Sequence, residues 1–343
     1  MKHVEAVSPT RIDLAGGTLD LWPLYIFHKD CSTVNLAIDI HTYVNIEVRK
    51  DEKIILNSAD TGLKQEYKNI SEISGEVQER GNHDLHLLKV HIDFWKPKMG
   101  FELHTRSESP VGAGIAASSS LNISLCGAFS ALTGKKLSTE ETVTLAGNLE
   151  ARVIQTPTGC QDYFPALFGG LNHIELTPLG PKRHSLEIDF AQFHKHFILV
   201  YTGRPHHSGL NNWQIFKDHI DGHDGTYNNF EKLNSVAKRM LAACRGRDHK
   251  PEWSSFGKLF DEEFQARVGL SKVFTSPEIE RLREVGLSAG AEALKICGAG
   301  GGGCAFLWTP ENKRMDVEKK CQQAGFQVLQ AKPTGAGLEI KTS

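Results

Sequence analysis

The chain of 343 residues contains no C-x-x-C pair, no tandem repeat, no low-complexity tract and no long apolar run. Its seven cysteines, Cys31, Cys126, Cys160, Cys244, Cys297, Cys304 and Cys321, are scattered and odd in number. That argues against a disulfide framework or a zinc site and for a reducing compartment, so a cytoplasmic location is expected. The longest apolar stretch, Phe197 to Tyr201, falls far short of the roughly 20 residues that cross a bilayer. Met1 to Ala6 lacks the apolar core of a signal peptide. Net charge is only −2, from 39 Lys and Arg against 41 Asp and Glu, which leaves no general field for nucleic acid or anionic lipid. Sixteen histidines are dispersed, with no H-E-x-x-H or comparable ligand spacing.

What is present is an ordinary globular composition, 40% hydrophobic and 23% charged. The length exceeds one typical core, so two domains folded against each other are expected. Strands are predicted at Thr33 to Ala37 and Tyr43 to Val48, the latter from alternation of Val44, Ile46 and Val48. Others are expected at Lys53 to Leu56, Phe101 to Thr105, Leu171 to Leu176, Ser185 to Ile188 and Phe197 to Tyr201, and around Leu294, Phe306, Val328 and Leu338. Helical spacing runs from His83 to Trp95, from the Ser138-Thr-Glu-Glu141 capping box to about Ile154, and over 209–217, 229–243, 252–267 and 312–323. Ser276-Pro277 reads as a helix start, with Gly286 as its end. This mixture without a βαβ repeat indicates an α+β fold. With no Pro/Ser linker to mark it, the boundary is placed near Pro178 to Leu186, giving domains 1–182 and 183–343.

Three glycine-rich segments carry the chemistry. The first, Ser109-Pro-Val-Gly-Ala-Gly-Ile-Ala-Ala-Ser-Ser-Ser120, runs into an apolar helix. Gly112, Ala113, Gly114, Ala116 and Ala117 leave backbone N–H groups open to an anion, Pro110 precedes them in the same expected nucleotide-binding loop, and the helix start adds unpaired donors and a positive dipole end. Ser118, Ser119 and Ser120 add hydroxyls. It is neither a Walker A loop nor a dinucleotide fingerprint. Alone, it is as well explained by a tight strand-to-helix turn with a serine N-cap. The second segment is Pro9-Thr-Arg-Ile-Asp-Leu-Ala-Gly-Gly-Thr-Leu-Asp20, an apolar strand, Gly16-Gly17, then an acid. The third, Lys295 to Phe306, holds five glycines among the six residues 298–303, a costly run unless backbone passes close to something else.

In order and spacing the three segments resemble the signature motifs of the GHMP kinases (galactokinase, homoserine kinase, mevalonate kinase, phosphomevalonate kinase), over most of the chain. The resemblance implies an N-terminal domain like ribosomal protein S5 domain 2 and a ferredoxin-like C-terminal domain. It also implies ATP and Mg²⁺ as cofactors and a small-molecule acceptor, in a monomer or homodimer. Ser118 and Glu150 would hold the metal. Asp162, in Thr158-Gly-Cys-Gln-Asp-Tyr-Phe-Pro-Ala-Leu-Phe-Gly-Gly170, would accept or orient the proton of the acceptor hydroxyl. Arg11 would lie beside it and stabilise developing charge. Gly16, Gly17, Asp20, Gly300, Gly301 and Gly302 would contact the substrate. Arg204, His206 and His207 stand at a strand-to-helix junction that could face the acceptor or a second phosphate. Arg11-Ile-Asp-Leu-Ala-Gly-Gly, Val34-Asn-Leu-Ala-Ile-Asp39 and Gln161-Asp162 look most like the heptose-7-phosphate and fucose kinases. That implies a sugar or sugar phosphate phosphorylated at its anomeric hydroxyl. A mevalonate-type kinase, or a sensor of this fold without turnover, are the rival readings.

Two departures from the family pattern stand out. Gly114-Ile-Ala-Ala-Ser118 replaces Gly-Leu-Gly-Ser-Ser, so Ala116 occupies a glycine position. If that position has positive φ, the alanine is strained by on the order of 1 kcal/mol. Leu19 stands where a Thr is common in the heptose-kinase branch, implying a changed acceptor pocket.

Overall fold

A computed structural model describes residues 2–78, 84–205, 210–223, 225–247 and 250–343. His83, His206 and His207 lie outside the described residues. In chain order the elements are β1 (His3–Ala15), β2 (Cys31–Val48), β3 (Ile54–Ser58), β4 (Leu63–Tyr67), α1 (Ile70–Gln78), α2 (His86–Trp95) and β5 (Phe101–Ser107). Then come α3 (Ala117–Thr133), α4 (Thr139–Ile154), α5 (Tyr163–Phe168), β6 (Leu171–Thr177), β7 (Gly180–Leu186), α6 (Phe190–His196) and β8 (Phe197–Tyr201). The rest are α7 (Leu210–Ile220), α8 (Thr226–Arg245), α9 (Trp253–Leu270), α10 (Pro277–Ala289), β9 (Ala293–Ile296), β10 (Cys304–Trp308), α11 (Arg314–Gln323), β11 (Gln327–Leu329) and β12 (Glu339–Thr342).

The larger sheet runs β12-β1-β2-β5-β3-β4, with the β6–β7 hairpin paired to the first half of β2. Only β3 and β5 are parallel. The smaller sheet is wholly antiparallel, in the order β11-β8-β10-β9. Counting its own strands from β8, that order is 4-1-3-2, the ferredoxin-like arrangement. The fold is α+β, as the sequence indicates. A division at 182/183 would cut the β6–β7 hairpin, whose pairing runs from Thr177↔Gly180 to Leu171↔Leu186. The larger sheet is completed from the far end of the chain, where β12 pairs with β1.

Predicted Thr33–Ala37 and Tyr43–Val48 are two halves of one 18-residue strand. At α4, Ser138 and Glu141 cap each other's backbone as read. Helix α10 starts at Ser276-Pro277 but continues past Gly286 to a Gly290 cap. Gly286 is small for a packing reason, since a Cβ there would fall 2.6 Å from Leu307 Cδ2.

Strand β1 positions the site. Its pairing with β2 shifts register between Pro9 and Thr10. Val4 and Ala6 belong to the core beneath α3, whereas Ile12 and Leu14 pack with Val236, Met240, Phe260 and Phe306 of the second core. Strand alternation then sends Arg11 and Asp13 to the other face, into a cavity between the two halves.

Candidate active site

The cavity measures about 570 Å³ and is lined from both halves of the chain. Along one wall runs the loop from β5 to α3. Gly112 and Gly114 have φ of 67° and 69°, and Ala116 has φ of 61°. Ala116, not a serine, is the N-cap of α3, and it makes no side-chain cap. The first intrahelical donor is Ser120 N–H, to the Ala116 carbonyl (2.9 Å). The preceding N–H groups at this end therefore form an anion cradle. Gly112, Ala113, Gly114, Ala116, Ala117, Ser118 and Ser119 line the cavity, and Pro110 does not.

Glu150, on α4, is 7% exposed and faces this helix end. Ser118 Oγ donates to its Oε1 (2.8 Å), while Ser119 Oγ and Tyr163 OH donate to its Oε2 (2.9 Å each). Burial pushes its pKa up against these hydroxyls. No Lys or Arg among the described residues pairs with it, so its charge lacks a cation. Its oxygens and that of Ser118 are the hard donors Mg²⁺ prefers. No group of three His, Cys, Asp or Glu side chains suited to a metal gathers among the described residues. A divalent ion here would complete its shell with nucleotide oxygens and water.

Arg11 and Asp162 meet across the cavity floor. Arg11 Nε and Nη2 donate to Asp162 Oδ1 and Oδ2 (2.7 and 2.8 Å), a bidentate pair. Arg11 Nη1 donates to the carbonyls of Cys297 (2.7 Å) and Gly114 (3.2 Å), which ties the glycine-rich strand end and the phosphate loop to one guanidinium. Burial alone would lower the Arg11 pKa, but Asp162 and Asp13 raise it, so the charge stays. Asp162 is partly open to the cavity.

Asp20 lies in the same cavity, 3% exposed. Its Oδ2 accepts the Gln161 N–H (2.9 Å). Burial and the neighbouring Asp162 charge push its pKa up to about 6. Gly17 lines the cavity beside it, but Gly16 does not; a Cβ on Gly16 would strike the Ser32 carbonyl. Leu19 is fully buried in the core and is not part of the acceptor pocket.

Gly300, Gly301 and Gly302 also lie outside the lining, which takes only Gly298 and Ala299 from that segment. Their missing Cβ atoms are required by packing: Gly300 abuts the Phe274 backbone, Gly301 the Val273 carbonyl and Gly302 the Arg204 carbonyl. The run is a backbone-on-backbone wedge behind the phosphate loop, where Cys304 N–H donates to the Ala113 carbonyl (2.6 Å). Arg204 is exposed and paired with Glu278 (3.3 Å).

Sequence reasoning left Asp13, Gln161, Arg267 and Asn212 unassigned, although all line the cavity. Arg267 Nη2 pairs with Asp13 and, at 2.8 Å, with Glu263; Lys295 Nζ lies 3.1 Å from both acids. The 263/267 pair is an i,i+4 match that in sequence looks like any exposed helix pair. Only the tertiary structure shows it to be buried.

Residues 85–170 match the family model described as GHMP kinases N terminal domain, and residues 253–327 match GHMP kinases C terminal. A D-glycero-alpha-D-manno-heptose 7-phosphate kinase of Campylobacter jejuni is 25% identical over 324 residues, 93% of each chain. A mevalonate kinase of Methanocaldococcus jannaschii is 25% identical over 308 residues, 86% of this chain and 91% of that one. Among solved structures, a D-glycero-D-manno-heptose 1-phosphate kinase from Bacteriodes thetaiotaomicron superposes with a TM-score of 0.77 at 20% identity, over 99% of each chain. The chain thus carries the N- and C-terminal domains of the GHMP kinases, in that order, on the fold that its heptose kinase and mevalonate kinase relatives share.

Proposed function

We propose that the chain transfers the γ-phosphoryl of ATP to a hydroxyl of a sugar or sugar phosphate, with a heptose phosphate and its anomeric hydroxyl as the leading acceptor. The observation that carries this reading is the Arg11–Asp162 pair, held in one cavity with the phosphate loop and Asp20. Phosphoryl transfer needs positioning and charge stabilisation more than covalent chemistry. The N–H groups at the start of α3 cradle the phosphates. Ser118 and Glu150 are the residues that would hold Mg²⁺, which when bound neutralises charge on the phosphoryl oxygens. Asp162 keeps lone pairs free of Arg11 with which to orient the acceptor hydroxyl and take its proton, while Arg11 remains positive beside it. Asp20 accepts from a second hydroxyl. The heptose choice rests on the Campylobacter relative, which aligns over 93% of its length.

A panel of free sugars, sugar phosphates and mevalonate, assayed for ATP consumption, tests the reading. Turnover is expected with a sugar phosphate, and Asp162→Asn should lower kcat by at least about a hundredfold, the scale of losing a base. ATP consumption with mevalonate and with no sugar would overturn the acceptor class. Near-normal kcat in Asp162→Asn would remove that residue from the chemistry.

A further inference from the structure

Four side chains form a file from the β6–β7 hairpin to the cavity. Arg183 Nε donates to Asn172 Oδ1 (2.5 Å). Asn172 Nδ2 donates to Asn35 Oδ1 (3.2 Å) and to the carbonyls of Gly169 and Gly170 (3.2 and 3.0 Å). Asn35 Nδ2 donates to the Gln161 carbonyl (3.1 Å) and to Gln161 Oε1 (3.4 Å). Asn35 and Asn172 are fully buried, and Gln161 is 5% exposed.

The direction of this file is set by Arg183 at its outer end together with the backbone carbonyls along it. A carboxamide presents a donor at one end and an acceptor at the other, and its partners decide which faces where. Arginine has donors only. Arg183 therefore claims the oxygen of Asn172, and the Gly169 and Gly170 carbonyls hold its NH₂, which leaves that NH₂ facing Asn35. Asn35 in turn presents its NH₂ to Gln161 Oε1. What is left at the inner end is the Gln161 Nε2 group, and it makes no hydrogen bond to any described residue. It lies against Gly17, 2.9 Å from where a Cβ would stand, a point that Asp13 Oδ2 and Arg267 Nη2 also approach.

We propose that Gln161 Nε2 is a substrate-reading donor, and that Arg183, Asn172 and Asn35 are positioning residues that fix its polarity. The proposal rests on the kinase reading above and deepens it. Asp20 can only accept and Gln161 Nε2 can only donate, and both line the cavity. A hydroxyl satisfies both at once, giving its proton to the carboxylate and a lone pair to the amide. The acceptor is thus a polyol read through its hydroxyls. A deoxy analogue leaves buried polar groups unpaired and is strongly rejected.

The test uses the full-length enzyme with ATP and whichever panel compound turns over. Gln161→Glu, and independently Arg183→Met, should raise KM for the acceptor by about tenfold, with a smaller fall in kcat and unchanged KM for ATP. Arg183→Lys, which keeps a donor, should restore the acceptor KM. Arg183 is half-buried over the Phe168 ring (4.4 Å) and off the cavity, so a merely structural role would not move acceptor KM alone. A second measurement needs no substrate: with side-chain ¹⁵N-glutamine labelling, the Gln161 NH₂ resonances, assigned by their loss in Gln161→Glu, should shift in Arg183→Met. If both acceptor KM and these resonances are unmoved in Arg183→Met, the relay is wrong. If wild type consumes ATP only with mevalonate, or with nothing offered, the kinase-acceptor reading fails on its own, and the resonances still decide the relay.

Discussion

Asp20 is an anion held where water is scarce. Its carboxylate accepts one backbone N–H and faces a second carboxylate, and burial with that charge pushes its pKa up to about 6. An acid whose folded pKa exceeds its unfolded value of about 3.9 binds its proton more tightly when folded. Stability therefore falls as pH rises from about 4 to 6, and at neutral pH the ionised group is a liability to the fold. The same charge is what an acceptor hydroxyl needs. Acceptor KM should accordingly rise as pH is lowered through about 6, with ATP KM flat, while Asp20→Asn should gain about 1–3 kcal/mol at pH 7 and lose acceptor affinity. Thermal melts and KM against pH give both readouts; an acceptor KM indifferent to pH in this range would take Asp20 out of substrate binding. At this scale much of the site was legible in the chain. Arg11, Asp20, Ser118 and Asp162 each sit in or beside a glycine-rich motif whose backbone needs are local, whereas Glu150, inside α4, is reached only through the family resemblance. Gln161 stands beside Asp162 in the 158–170 motif, yet its role depends on Asn35 and Asn172, which no local pattern connects.

The phosphate loop shows how an element can depart from its family's residues and keep its path. Ala116 adopts φ 61°, the left-handed conformation that a glycine takes without strain. The loop is held there by tertiary contacts: the Ile115 carbonyl accepts the Arg11 N–H (3.1 Å), and the Ala113 carbonyl accepts the Cys304 N–H (2.6 Å). Ala116→Gly should relieve about 1 kcal/mol of strain, partly offset by a more flexible unfolded chain. The expected result is a melting temperature raised or unchanged and no loss of ATP affinity. A clear fall in stability would mean that the alanine methyl packs productively and that the strain is absent. Helices with side-chain caps were legible, as Ser138 and Ser276 show. Some missed elements lacked such signals, since β4 is half exposed and polar and α5 is a six-residue turn containing Pro165, whereas α6 has a side-chain cap from Asp189 but only seven residues. Gly286 misled because a glycine required by a neighbouring leucine looks, in sequence, like one that ends a helix.

The two halves of the molecule are joined by a buried ion cluster. Asp13 comes from β1, Glu263 and Arg267 from α9, and Lys295 from β9, and none is more than 1% exposed. This is the part of the architecture that sequence concealed most. Asp13 and Lys295 are 282 residues apart, and β12 crosses almost the whole chain to pair with β1; no window-based pattern reports contacts of that range. Two acids and two bases cancel, so the cluster is sustainable only complete. Burial would raise the Asp13 pKa, but Lys295, Arg267 and Arg11 hold it below the usual carboxylate range. Its contribution to stability is thus present above about pH 4 and lost as pH falls further. Lys295→Met removes one base and leaves two carboxylates against a single guanidinium, at a cost of about 3–5 kcal/mol near neutral pH. In that variant one acid is better off protonated when folded, so the sign of the pH dependence reverses. Stability of Lys295→Met should rise as pH is lowered from about 7 to 5, narrowing its gap to wild type. Lys295→Met combined with Glu263→Gln removes the surplus charge and should recover part of the loss without acid. Denaturant melts of the three proteins across that pH range decide the matter: a gap that stays constant with pH, and is not reduced by Glu263→Gln, would assign the loss to packing rather than to the unpaired charge.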